Sequence, residues 1–97
     1  MLELTLEGLI RAFGSQWADE SKFVGILVDI AGVKEVIINS RENYEAKLEY
    51  YKNAYNDDLS HKHAKGISII RFTFGNSFAE IQEDLLGGSY DEIYGRR

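Results

Sequence analysis

FVGILVDIAGVKEVIIN, Phe23 to Asn39, is the stretch on which the fold turns, because it reads in two ways. In the first, Asp19 or Ser21 caps a helix whose apolar face is Phe23, Ile26, Leu27, Ile30 and Ala31, and Gly32 supplies the left-handed residue that closes it. Val33 to Asn39 (VKEVIIN) then follows as a β-branched strand. In the second, Val24 to Ile30 and Val36 to Ile38 are the arms of a hairpin around Ala31-Gly32. That pair lacks the Asn-Gly or Asp-Gly signature of a type I′ turn, which ranks the helix first and the hairpin second.

Upstream, Leu6, Leu9, Ile10 and Phe13 recur at three to four residues and predict a short helix over about 5–13 that ends at Gly14. Leu2, Leu4 and Leu6 alternate, so a first strand over 2–6 is the competing reading. Downstream, Asn39 stands three residues before Glu42 in capping-box spacing, ahead of a helix over about 41–56. Its inward stripe is Tyr44, Leu48, Tyr51 and Tyr55. Ile67 to Phe74 (ISIIRFTF) is the strongest strand signal: Ile70, Phe72 and Phe74 share one face, Ile67 and Ile69 load the other, and such a strand is expected in the middle of its sheet. Ser77 and Glu80 form a second capping box for a helix over about 77–86, with Phe78, Ile81, Leu85 and Leu86 inward and Gly87-Gly88 closing it. The expected fold is α+β: one small domain over 1–88, a short sheet of two to four strands packed by about four helices, and a flexible C-terminal tail over 89–97.

With 97 residues the chain is long enough for one hydrophobic core. It has no cysteine, which excludes a disulfide framework, a thiolate zinc site and a cysteine nucleophile. Met1 to Phe13 carries Glu3 and Glu7 and has no basic n-region, and Phe23 to Val33 is too short an apolar run to span a bilayer. A cytoplasmic protein without a membrane partner is the expectation. Net charge is −5, all of it in residues 1–60, where eleven acidic side chains face six basic ones. That field repels nucleic acid and anionic membranes and suits a protein partner with a basic surface, including one that itself handles DNA or RNA.

No reaction chemistry is visible. His61-Lys62-His63 offers two imidazoles in extended spacing, but Lys62 and Lys65 oppose a cation there. Asp57 and Asp58 are adjacent carboxylates that point apart and suit a turn better than acid–base work. Glycines 8, 14, 25 and 32 are too widely spaced for a phosphate loop. Neither catalysis, nor a cofactor, nor a metal is expected. The surplus is in tyrosine: Tyr44, Tyr50, Tyr51 and Tyr55 fall on one helix, and Tyr90 and Tyr94 in the tail. Tyrosine combines a large contact area with a polar tip, as interface anchors do. Trp17 shares that chemistry.

ENYEAKLEYYKNAYNDDL (Glu42–Leu59), followed by GISIIRFTF (Gly66–Phe74) and SFAEIQEDLL (Ser77–Leu86), resembles small accessory proteins of temperate phages and prophages of Gram-positive bacteria. The likeness covers roughly residues 36–86 and lies in packing and capping patterns. It implies a protein that inhibits or redirects host machinery, with anti-CRISPR inhibitors of defence nucleases as the prominent case. The expected contact surface is the helix over 41–58: Glu42, Glu45 and Glu49 on one stripe, exposed Tyr50 beside them, and Asp57 and Asp58 at its end. The alternatives are a homo-oligomeric assembly protein, with Tyr50, Trp17 and Tyr94 between subunits, and a protein of the toxin-immunity type.

Overall fold

Val24 to Val28 is buried at every residue, which neither a surface helix nor a one-sided strand would show. The computed structural model, which describes residues 4–86, resolves the ambiguity in favour of the hairpin. Strands β1 (Phe23–Ile30) and β2 (Val33–Ser40) pair antiparallel from Ile30↔Val33 through Phe23↔Ser40. Strand β3 (Ile67–Gly75) pairs antiparallel with the other side of β1, so the order is β2-β1-β3. The helix expected over this stretch is therefore a central strand. Layers cover both of its faces, so both sets of alternating residues are apolar and the period of two disappears from the sequence.

The turn departs from the usual chemistry at one residue. Ala31 (φ 53°) and Gly32 (φ 92°) both take the positive φ that a type I′ turn demands, although Ala pays a steric penalty there. Two hydrogen bonds hold the turn: Gly32 N–H donates to Asp29 Oδ1 at 2.7 Å, and Ala31 N–H donates to the Gly66 carbonyl at 2.8 Å. The second comes from a residue 35 positions away in the chain, so no local signature could announce it.

Strand β3 lies at an edge rather than in the middle. Its register steps from Leu27↔Arg71 to Val28↔Ile69, which leaves Ile70 as the extra residue of a bulge. The simple alternation fails there. Ile69 joins Phe72 and Phe74 on one face, and Ile70 packs on the other. The outer edge of β3 is partly occupied, because Ile69 N–H donates to the Leu59 carbonyl and His61 N–H to the Ile67 carbonyl, each at 2.9 Å.

On the first face lie α1 (Leu6–Phe13), the short α2 (Gln16–Asp19) and α3 (Tyr44–Ala54), filling a core with Leu9, Phe13, Val24, Ile26, Tyr51, Leu59 and Phe74. Helix α1 forms as expected, with Thr5 Oγ1 accepting from Gly8 N–H at 3.0 Å. Trp17 belongs to α2, capped by Ser15, and Ser21 is buried after it rather than opening a helix. The Asn39–Glu42 capping box does not form. A 3-10 turn at Arg41–Asn43 precedes α3, with no side-chain cap. Arg41 is drawn instead to the residues just before β1, its N–H donating to the Lys22 carbonyl at 2.8 Å and its guanidinium to the Ser21 carbonyl at 2.9 and 2.7 Å.

Helix α4 (Phe78–Leu86) covers the second face through Ile81, Leu85 and Leu86 against Leu27. Ser77 caps it by accepting from Glu80 N–H at 3.1 Å, while the Glu80 carboxylate accepts from Asn76 N–H at 2.7 Å, one residue earlier than a standard box. Phe78 is not inward: it stays 58% exposed and meets Phe23 edge-on at the rim. The Gly87-Gly88 stop, the tail over 89–97 and the start of the alternative strand over 2–6 lie outside the described residues. No helix among the described residues is long and apolar enough to cross a membrane.

Candidate functional site

Helix α3 divides its tyrosines by direction. Tyr44, Leu48, Tyr51 and Tyr55 face the sheet as the spacing predicts, and the Phe13 ring stands 5.6 Å from Tyr44 and 6.3 Å from Tyr51. Burial pushes the Tyr51 hydroxyl far above the ordinary phenol value, with neighbouring Tyr55 and Tyr50 adding to the shift. Burial also raises Tyr44 and Tyr55. These three are core residues.

Among the described residues Tyr50 is the exposed tyrosine, at 45%. Its ring lies 5.5 Å from Tyr51 and 6.2 Å from Tyr55, with Lys47 Nζ 5.0 Å from its centroid. The Tyr50 hydroxyl is 3.5 Å from His61 Nε2. On the other side of that imidazole, Nδ1 accepts from both His63 N–H and Ala64 N–H at 3.1 Å, which in the neutral ring leaves the proton on Nε2. His61 Nδ1 is thus spent on the backbone. Among the described residues no group of three or more His, Cys, Asp or Glu is placed to hold a metal.

The carboxylates separate into two sets. Glu42, Glu45 and Glu49 are exposed, and the one ion pair among the described residues, Glu7–Arg11, does not involve them. Glu42 falls in the 3-10 turn ahead of α3 rather than on the helix stripe expected from the sequence. At about 100° per residue, Glu45 and Glu49 share a flank from which Tyr50 is turned by about 100–140°. The row and the aromatic therefore flank the exposed side of α3 rather than adjoin. Asp57 and Asp58 lie beyond the end of the helix. They line an open depression of about 640 Å³ with Leu6, Lys52, Tyr55, Asn56 and Lys62.

Two cations, Lys52 and Lys62, share that depression, and neither forms an ion pair with Asp57 or Asp58. The Asp57 carbonyl accepts from Leu6 N–H at 2.9 Å, fastening the loop to the start of α1. Asp58 Oδ1 accepts from Ser60 Oγ at 2.6 Å and Ser60 N–H at 3.0 Å. Those bonds hold the Asp58 carboxyl below its ordinary value, and they give Asp58 a turn-forming role, while Asp57 contributes its main-chain carbonyl.

A second surface carries no signal in composition. Val33 is 67% exposed and Ile37 is 37% exposed on β2, and Ile30 beside Val33 is 37% exposed. That VKEVIIN forms a strand is legible; that it forms an uncovered edge depends on where the other strands pair. Comparison of the chain with protein-family models, curated proteins and solved structures finds no match.

Proposed function

We propose that the protein is a non-enzymatic binding domain that docks the Glu45–Glu49 flank of α3, with Glu42 in the 3-10 turn before it, into a basic groove of another protein. The observation that carries this reading is a group of exposed carboxylates that take part in no ion pair among the described residues. Like charges one turn apart oppose helix formation by a few tenths of a kcal/mol, so folding alone does not call for the row. Opposite charge on a partner would relieve that repulsion and speed encounter. Tyr50 and the Asp57–Asp58 turn then serve as flanking contacts, at the far side and the end of the helix.

The likeness to phage accessory proteins supports placing the partner in the host cytoplasm, and a protein whose own ligand is nucleic acid, such as a defence nuclease, presents the required basic groove. Blocking that groove would make the domain an inhibitor. The test is affinity capture from a bacterial lysate with wild type and with Glu45→Lys/Glu49→Lys. A specific partner held at low salt should bind the double variant several-fold to a hundredfold more weakly, with circular dichroism unchanged. Equal capture by both proteins would move the contact off α3.

A further inference from the structure

The two edges of the sheet are treated differently. The outer edge of β3 is bonded by residues 59–61, through Leu59, the Ser60↔Ser68 bridge and His61. Among the described residues nothing bonds the outer edge of β2. In a two-residue hairpin the flanking pair, here Ile30 and Val33, is mutually hydrogen-bonded, so alternate residues from Val33 face β1. The N–H and C=O groups of Lys34, Val36 and Ile38, and the N–H of Ser40, therefore point outward, while the Ser40 carbonyl opens the 3-10 turn. This edge has no proline and no bulge, and Lys34 is its one cation against strand addition. Its side chains are apolar on both faces, Ile37 on the α3 side and Val36 and Ile38 on the α4 side.

We infer that this edge pairs with itself, joining two copies of the chain through antiparallel β2 strands into a continuous six-stranded sheet. Outward backbone groups must meet outward backbone groups, which leaves few registers about a two-fold axis. Centring on Glu35 sets two carboxylates face to face. Centring on Val36 opposes Glu35 to Ile37 and Lys34 to Ile38. Centring on Ile38 opposes Ile37 to Asn39 and Val36 to Ser40. Centring on Ile37 opposes Ile37 to its own mate, Val36 to Ile38, Glu35 to Asn39 and Lys34 to Ser40. Only there does every apolar side chain of the seam meet an apolar one while no like charges meet. The cross-sheet row Phe72–Ile26–Ile37 would then run unbroken into the same row of the second copy. A seam of seven residues is about 23 Å long, short for a permanent interface, so the dimer is reversible.

Sedimentation of the full chain over a rising concentration series should show a mass climbing toward twice the monomer. Ile37→Lys and Ile37→Glu, at a position already partly exposed, should each remain monomeric. An equimolar mixture of the two should restore the dimer, because position 37 faces itself. In wild type, amide exchange at Lys34, Val36, Ile38 and Ser40 should slow with concentration, while Val33, Glu35 and Ile37 are protected throughout. A wild-type monomer at every concentration would overturn the inference, and so would a dimer indifferent to Ile37→Lys or a mixture that fails to associate. Edge amides already protected at low concentration would show instead that the chain covers its own edge.

Discussion

The two faces of the sheet are filled by opposite means. Over the α1/α3 face, large rings from several elements interlock: Phe74 stands edge-on to Phe13 at 5.4 Å, Trp17 at 5.1 Å and Tyr44 at 5.6 Å. Over the other face a single helix sits directly against the strand. A Cβ built at Gly25 would come within 2.2 Å of Ile81 Cγ2 and 3.1 Å of Leu85 Cδ1. One face is held by volume that the sheet projects outward, the other by volume that the central strand withholds. A close-packed interior registers both a lost side chain and an added methyl group, and the two faces should fail in those opposite directions.

Removing the ring that joins the aromatic elements should cost most. Phe74→Ala takes away a side chain that is 2% exposed and leaves a cavity bordered by three rings, with an expected loss of about 3–5 kcal/mol in urea unfolding. A loss under about 1 kcal/mol would mean that the rings collapse to fill the space. Gly25→Ala attacks the other face by addition and should destabilise by about 1–3 kcal/mol. Combining it with Ile81→Ala should cost less than the two single changes summed, because the truncated side chain makes room for the new methyl. Strict additivity in the double variant would refute the close approach of α4 to β1.

The smallest effect separates the faces by pH. Tyr51 keeps its phenol proton in the folded state to higher pH than in the unfolded chain, with burial as the main cause. The stability tied to that proton is fully present below the unfolded phenol value of about 10 and is lost as pH rises above it. Tyr44 and Tyr55 act in the same direction. The melting temperature should decline from about pH 10 upward, and Tyr51→Phe should flatten that decline. The described α4 face has no tyrosine, so Gly25→Ala should lower the melting temperature without altering the slope.

Much of the α1/α3 face was readable beforehand, because helices covered on one side keep their period. The stripe Tyr44, Leu48, Tyr51, Tyr55 and Leu6, Leu9 and Phe13 of α1 face inward as spacing predicts, while Ile10 stays outside the core cluster. Sheet positions were harder. ISIIRFTF is rich in β-branched and aromatic residues, yet its bulge at Ile70 exchanges the faces of neighbouring isoleucines, and no residue in the run marks where the bulge falls. The candidate site divides similarly. The exposure of Glu45, Glu49 and Tyr50 followed from helical geometry, whereas Glu42 sits in the turn before α3, and the gathering of Asp57 and Asp58 with Lys52 and Lys62 around one depression required the loop to fold back beside α3.

Local chemistry alone determined that the chain makes an α+β domain, that α1, α3 and α4 are helices, and that Ser77 starts the last of them, since period and capping act within one or two turns of chain. Tertiary structure alone decided that Phe23 to Ile30 is the central strand. An apolar run covered on both faces has no period to read, and its turn passes through Ala31 at φ 53° under a hydrogen bond to Gly66. The same distinction sets which edge of the sheet is open. VKEVIIN carries the propensity of a strand, but a free edge is a property of its neighbours, fixed when residues 59–61 pair with β3 and leave β2 uncovered among the described residues.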